Sequence, residues 1–222
     1  MRVRHLVHHV RWSATVIAVL TARAASGQAS QGLDSATAAA IAPIVEQARA
    51  NRLPVTPLYA KAREGQVQRV PLARIEAAVR MLADRMHAAD DALAPDASEQ
   101  ELSAAADAIK SGVPPETLRL MRKAGGDGSL AVPIGVLTQL IARGVPVERA
   151  SMEVVALLQR GAVAKNFIAL EESVRQDVLA GRRPDESLDL RLKGIIPNLP
   201  QTATEVGSDG LTKAASTPKR PR

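Results

Sequence analysis

Asp84, His87 and Asp91 are the residues whose types and spacing come closest to a metal site. They stand at positions i, i+3 and i+7, so a helix would place all three along one side. Carboxylate and imidazole groups in such a cluster can bind a divalent cation such as zinc. Arg80 and Arg85 flank the same stretch and can neutralise the acids, which favours a solvated, ion-paired helix face over a metal site.

A Ser-His-Asp catalytic arrangement would have to use His87, because the other histidines (His5, His8 and His9) lie in the N-terminal 27 residues. The chain has no cysteine that could act as a nucleophile and no Gly-x-Ser-x-Gly turn. His87 directly follows Met86, the last residue of an apolar stripe, which favours an exposed surface histidine. The sequence therefore predicts no catalytic residue.

Two pairs of adjacent carboxylates, Asp90-Asp91 and Glu171-Glu172, suggest acid-base chemistry. Neighbouring residues on a helix point about 100° apart, so neither pair is expected to share one site. Acids brought together from distant segments would still permit a glycosidase-type reaction. The composition gives this alternative little support. Sugar-binding sites usually contain aromatic side chains against which the sugar packs, and this chain has almost no aromatic residues.

The glycine-rich segment 125–129 (Gly-Gly-Asp-Gly-Ser) has a composition found in phosphate-binding loops. It lacks the Gly-Lys-Ser/Thr ending and the preceding strand of a P-loop, so we interpret it as a flexible turn. The sequence contains no other cofactor fingerprint. It therefore predicts no metal ligand, no cofactor-binding residue and no cofactor.

The charge distribution argues against a nucleic-acid partner. The 29 Lys and Arg residues outnumber the 23 Asp and Glu residues, but the excess lies at the two ends of the chain. Residues 28–200 are neutral overall, so they provide little of the phosphate attraction on which nucleic-acid affinity depends. Only two aromatic residues, Tyr59 and Phe167, follow residue 27, which disfavours base stacking and aromatic-lined pockets.

Residues 1–27 have the pattern of an export signal that is removed. A basic start precedes a short apolar run at 14–22, and small residues follow up to Gly27, where cleavage is favoured over cleavage after Ala24. The alternative is an uncleaved amphipathic N-terminus or a wrongly assigned start. The apolar run is shorter than the ~20 residues that span a membrane. The absence of cysteine excludes disulfides and lipid attachment at an N-terminal cysteine.

Apolar residues recur at helical spacing along most of the remaining chain. The stripes are Ile75-Val79-Leu82-Met86, Leu102-Ala105-Ala106-Ile109, Val136-Leu137-Leu140-Ile141, Val154-Val155-Leu157-Leu158 and Phe167-Leu170-Val174-Val178. Asp34 or Ser35 is expected to cap an earlier helix that continues to about Asn51. Pro43 is expected to kink or break that helix.

Helix starts carry recognisable signals. Ser98–Glu101 is a capping box. Gly-Val-Pro occurs at 112–114 and 144–146, where the glycine can end one helix, the valine can enter the core and the proline can begin the next helix. Glu116 and Glu148 follow at the positive end of each helix dipole.

Proline follows an apolar residue at several further points. These sites are Leu53-Pro54, Val70-Pro71, Val113-Pro114, Val132-Pro133, Val145-Pro146 and Ile196-Pro197. Their spacing is irregular, so the sequence does not predict a regular solenoid. Internal duplication and generic helix corners both explain the repeated Gly-Val-Pro motif, and the generic corner is favoured because the motif is only three residues long.

These patterns predict an all-α protein of about six to eight short helices, packed as antiparallel helical hairpins with Val/Leu-Pro corners. The expected organisation is a signal peptide at 1–27, a single all-α domain at 28–200 and a disordered cationic tail at 201–222. No segment beyond the signal is long and apolar enough to cross a membrane.

The function predicted from these features is an exported, non-enzymatic helical interaction or structural module. It would act in the periplasm or outside the cell, with a protein or peptide of the cell envelope as its partner. One alternative is a helical envelope hydrolase that uses carboxylates from several helices, and another is a binder of anionic polymers or membrane surfaces through the tail. Facing carboxylates of raised pKa would favour the hydrolase, whereas an apolar groove would favour the module.

Overall fold

The computed structural model describes residues 32–199. Within these residues the chain forms α-helices and one short 3₁₀ helix and contains no strand, which confirms the predicted all-α fold. The α-helices are α1 (Ser35–Ala50), α2 (Thr56–Val67), α3 (Leu72–Leu93), α4 (Glu99–Lys110), α5 (Pro115–Gly125), α6 (Ala131–Ala142), α7 (Val147–Gln159), α8 (Ala164–Leu179) and α9 (Pro184–Ile195). The 3₁₀ helix is Ile196–Asn198. The predicted signal at 1–27 and tail at 201–222 lie outside the described residues.

The described residues contain nine α-helices, slightly more than the sequence predicts. Neither an apolar stripe nor a Gly-Val-Pro motif marks α2 and α9. The buried residues of α2 are only Leu58 and Ala62, and α9 buries Leu188 and Leu192 beside the polar Ser187. Such short apolar faces carry too little periodicity to identify a helix.

The chain divides into two compact units between Lys110 and Ser111. Helices α1 to α4 belong to the first unit and α5 to α9 to the second. Each unit has its own buried apolar side chains. The single domain expected at 28–200 stays a prediction.

Helix α3 is central to the first unit, because α1, α2 and α4 all pack against it. Three of the four residues in its predicted stripe, Ile75, Val79 and Met86, are buried. The fourth, Leu82, is partly exposed. The stripe therefore lies on the face that meets the neighbouring helices, as an amphipathic helix requires.

The predicted helix caps are present. Asp34 caps α1, since its carboxylate accepts a hydrogen bond from the Thr37 backbone N–H at 2.7 Å, and α1 continues through Pro43 without a break. Ser98 and Glu101 form the predicted capping box: the serine hydroxyl accepts from the Glu101 N–H at 3.2 Å, and the glutamate accepts from the Ser98 N–H at 2.9 Å. These bonds satisfy N–H groups that the helix itself cannot pair.

The two Gly-Val-Pro corners of the second unit have the predicted structure. Gly112 and Gly144 adopt φ values of +93° and +98°, in the region that residues with a Cβ rarely occupy. Val113 and Val145 follow and are buried. The next proline is the residue that precedes the first turn of α5 or α7. Each corner thus ends one helix, anchors the turn in the core and starts the next helix.

Two further corners use the same geometry without the Val-Pro sequence. Gly161 and Gly181 adopt φ values of +75° and +89° between α7 and α8 and between α8 and α9. Ala162 follows the first of these glycines and is buried. Among these four corners of the second unit the shared feature is therefore the glycine and not the proline.

Helices of the second unit pack against the helix two positions along the chain: α5 against α7, and α6 against α8. A methyl group placed on Gly112 would lie 3.8 Å from Val147, and one placed on Gly125 would lie 3.7 Å from Leu158. The starts of α5 and α7 therefore lie side by side, and so do their ends. The two helices are parallel neighbours.

At the next corner, a methyl group on Gly144 would lie 3.5 Å from Pro184, the first residue of α9. Helices that pack side by side begin about 32 residues apart, a repeat length typical of helical-hairpin arrays. The pairs of starting residues are Pro115 with Val147 and Ala131 with Ala164. This repeat of about 32 residues occurs in the second unit. The spacing of prolines along the whole chain does not show it, because that spacing also includes the prolines of the first unit.

We expect Gly144→Ala to lower the free energy of unfolding by about 1–2 kcal/mol, because a residue with a Cβ is strained at positive φ. Its Cβ would make only ordinary van der Waals contact with Pro184 at 3.5 Å, so the cost would come from the backbone. The matched control is Gly135→Ala inside α6, where a Cβ meets nothing within 4 Å. That substitution should stabilise the helix by about 0.5–1 kcal/mol. Urea unfolding followed by circular dichroism measures the free energy of unfolding of both variants. Equal changes in the two variants would contradict the need for glycine at the corner.

Candidate functional site

The structure does not assemble a metal site from the residues considered for one. Asp84, His87 and Asp91 are all exposed on α3, and no group of three His, Cys, Asp or Glu residues within 32–199 is arranged to hold a metal ion. Arg80 donates a hydrogen bond to Glu76 at 2.8 Å. This helix face is solvated and carries an ion pair, although the arginine pairs with an acid other than Asp84.

His87 lies at the edge of a pocket of about 240 Å³ in the first unit. Asp84, Gln47 and Asn51 line its polar wall, and the buried Leu53 contributes to its floor. The pocket contains a single carboxylate. It therefore lacks the facing pair of acids that glycoside hydrolysis uses.

Glu171 and Glu172 have separate partners, as their adjacent positions on a helix predict. Arg143, at the end of α6, donates to Glu171 from Nε at 3.0 Å. Arg175 donates to Glu172 from Nε at 2.8 Å. The hydrogen bonds from Arg175 and then Gln176 lower the pKa of Glu172 to about 2. A general acid needs a raised pKa, so Glu172 has the electrostatics of an ion pair.

Asp177 and Arg191 connect α8 to α9 through two hydrogen bonds of 2.7 and 2.6 Å. The aspartate side chain is largely buried, with 11% of its surface exposed. The hydrogen bonds from Arg191 lower the pKa of Asp177 and raise the pKa of Arg191. A second ion pair, Arg149–Asp189, joins α7 to α9. These charges hold the helices of the second unit together and do not converge on a cavity.

The glycine-rich segment is a turn, as predicted. Helix α5 ends at Gly125, and Gly128 donates a backbone hydrogen bond back to its carbonyl at 3.2 Å. Ser129 Oγ accepts from the Ala131 N–H at 3.4 Å, at the start of α6. The Ser129 hydroxyl oxygen thus helps to start α6.

A groove of about 340 Å³ lies between α5 and α7 and leaves apolar side chains uncovered. Leu120 on α5 is 47% exposed and Met152 on α7 is 58% exposed. Val155 and Ala156 are partly buried and extend the apolar surface along α7. Single exposed apolar side chains are common on protein surfaces, whereas several beside one groove form a candidate contact surface. We refer to this feature as the α5–α7 groove.

The sequence patterns singled out Val155 but not Leu120 or Met152 among the residues of this groove. Leu120 and Met152 each lie eight residues after the corner glycine of their helix, at Gly112 and Gly144. Aligning the two Gly-Val-Pro motifs would have placed them at equivalent positions. Their exposure depends on how α5 and α7 pack, which the alignment alone does not reveal.

Ser151 in the groove has an unpaired hydroxyl. Helical serine and threonine often bond to the carbonyl four residues earlier, as Thr138 does to Ile134 at 3.1 Å and Ser187 does to Arg183 at 2.9 Å. Ser151 is only 8% exposed, yet its Oγ has no hydrogen-bond partner within residues 32–199. A buried unpaired hydroxyl costs free energy, and Ser151 is one of the residues that line the groove.

No family model, curated protein or solved structure matches this chain. No helix within residues 32–199 is long and apolar enough to cross a membrane. We therefore base the functional proposal on the geometry and chemistry of the α5–α7 groove.

The Asp177–Arg191 pair makes stability depend on acid pH. Because the pKa of Asp177 is lower in the folded chain than in the unfolded chain, its carboxylate stabilises the fold above the unfolded pKa of about 3.9, and this stabilisation disappears as pH falls through the folded pKa. We expect Asp177→Asn to reduce the loss of stability below about pH 4. Urea midpoints measured between pH 7 and pH 2 give the slope of stability against pH. The control is Asp127→Asn in the exposed turn after α5, and identical slopes for both variants would exclude a role for Asp177.

Proposed function

We propose that this protein is an exported helical binding module whose α5–α7 groove takes a polypeptide segment of a cell-envelope partner. The observation that carries the proposal is the pair of uncovered apolar side chains, Leu120 and Met152, on two parallel helices. Grooves between helices of repeated hairpins are a recurrent surface for peptide recognition. An apolar groove was also the feature expected to favour a binding module over a hydrolase.

The carboxylates of the described residues support the module more than the hydrolase. Hydrogen bonds lower the pKa of five carboxyl groups: Asp34, Glu64, Glu172, Asp177 and Asp185. These five groups are ionised at neutral pH, whereas the general acid of a hydrolase must hold a proton there. Binding of anionic surfaces through the tail at 201–222 remains a separate proposal, because that segment lies outside the described residues.

Apolar contact with the groove contributes too little free energy to hold a partner by itself. Fully burying a leucine or methionine side chain contributes about 1.5–3 kcal/mol, and roughly half of each groove side chain is already buried. Covering both therefore contributes roughly 2–3 kcal/mol. A millimolar complex requires about 4 kcal/mol. The partner must also form hydrogen bonds or ion pairs, which a polypeptide can supply and a hydrocarbon chain cannot.

The groove is tested with peptides selected from a phage-displayed random library against the purified chain. We expect Met152→Glu to weaken the selected peptides by more than tenfold, since it places a charge in the apolar surface. The matched control is Ile168→Glu on α8, because Ile168 is 55% exposed and Met152 is 58% exposed. Affinity is measured by fluorescence anisotropy, with circular dichroism to confirm folding. Equal peptide binding by wild type and Met152→Glu would refute the proposal that peptides bind in the groove.

Export is tested separately by intact-mass measurement of the chain produced in a bacterial cell. We expect loss of residues 1–27, because the apolar run at 14–22 is typical of a cleaved signal. Ile17→Arg interrupts that run and should leave the chain uncleaved, whereas Gln31→Arg lies beyond it and should not. An uncleaved wild-type chain in the cytoplasm would contradict export and leave the groove proposal in place.

A further inference from the structure

Opposite charges stand at the two ends of the α5–α7 groove. Glu148 lies four residues before Met152, one turn earlier on the same side of α7. Lys123 lies three residues after Leu120, near the end of α5. Both residues are exposed, and neither has an ion-pair or hydrogen-bond partner within the described part of the chain. Because α5 and α7 are parallel, the carboxylate and the ammonium group lie toward opposite ends of the groove.

The distance between these charges sets the length of a matching segment. Gly125 lies beside Leu158, so Lys123 is level with about Ala156. Glu148 and Ala156 are eight residues apart on α7, which corresponds to about 12 Å along the helix axis. An extended chain covers about 3.3–3.6 Å per residue. Charges three or four residues apart on an extended peptide would therefore reach both ends.

The unpaired Ser151 hydroxyl distinguishes an extended peptide from a helix. A helix pairs its own backbone N–H and C=O groups, so its apolar face would leave Ser151 buried without a partner. An extended segment presents free carbonyl and N–H groups along its length. Thr117 and Gln159 also line the groove, and their side chains have no hydrogen-bond partner among residues 32–199. The groove thus offers apolar surface and hydrogen-bonding groups together.

We infer that the α5–α7 groove binds an extended peptide segment that carries a cationic side chain beside Glu148, an apolar side chain between Leu120 and Met152, and a carboxylate beside Lys123. A backbone group of the segment forms a hydrogen bond with Ser151 Oγ. This inference rests on the proposed function and specifies its ligand. It follows from charge complementarity at the groove ends and from the unpaired hydroxyl between them.

The charge pattern is tested by repeating the peptide selection on altered grooves. Wild type should select peptides in which a basic and an acidic residue flank an apolar residue, three or four positions apart. Glu148→Lys should select peptides with acidic residues on both sides. The control is Glu186→Lys, an exposed acid in the first turn of α9, and it should select the wild-type pattern.

The hydrogen bond is tested with one selected peptide and a set of its single amide-to-ester analogues. Ser151→Ala should weaken the parent peptide by about 5–10-fold, as expected for loss of one hydrogen bond of about 1 kcal/mol. One ester should weaken binding to wild type but not to Ser151→Ala, which identifies the backbone group that meets the hydroxyl. Ser187→Ala is the matched control, because Ser187 is also buried but bonds within its own helix.

The results separate this inference from the proposed function. Peptides that are insensitive to Met152→Glu would overturn both. Peptides that depend on Met152 would support the groove. Among those, an unchanged selection by Glu148→Lys, no coupling of any ester to Ser151, or a gain of helical circular dichroism on binding would overturn the extended, charge-matched ligand and leave the binding module intact.

Discussion

The positive-φ glycine corner is the constraint on which the second unit depends. At Gly112, Gly144, Gly161 and Gly181 the backbone adopts a conformation that only glycine occupies without strain. The corner ends one helix, turns the chain and starts the next helix within three residues. Helix α5 lies beside α7 and α6 lies beside α8, each two positions along the chain. The groove between α5 and α7 depends on this packing.

Parallel neighbours have a consequence for electrostatics. Helix dipoles that point the same way repel each other, and charged side chains can offset this repulsion. Glu116 and Glu148 lie at the positive starts of α5 and α7, and Arg149 pairs with Asp189 between α7 and α9. Of these charged residues, Glu148 also lies near one end of the groove, one turn before Met152.

Features that depend on residues close together in the sequence could be predicted. Packing between helices that are far apart in the sequence could not. The Asp34 cap, the Ser98–Glu101 box and the stripe on α3 depend on residues within one or two turns, so their patterns are legible in a short window. The neighbours of α5 depend on contacts with a helix about 32 residues away. Leu120 and Met152 illustrate the difference, since each looks like an ordinary residue of an amphipathic helix. They line one groove only because α5 and α7 pack side by side.

Within the described residues, Ser151 has an unpaired buried hydroxyl in an otherwise well-packed unit. An unpaired buried hydroxyl costs about 1–3 kcal/mol, and alanine would remove that cost. A serine that bonds to its own helix, as Ser187 does, carries no such penalty and no capacity for recognition. On the proposed function, the unpaired hydroxyl of Ser151 is the group with which a bound peptide would form a hydrogen bond without breaking an existing one. The uncovered methionine beside it adds the apolar contact, and the two together favour a polypeptide over a purely hydrocarbon ligand.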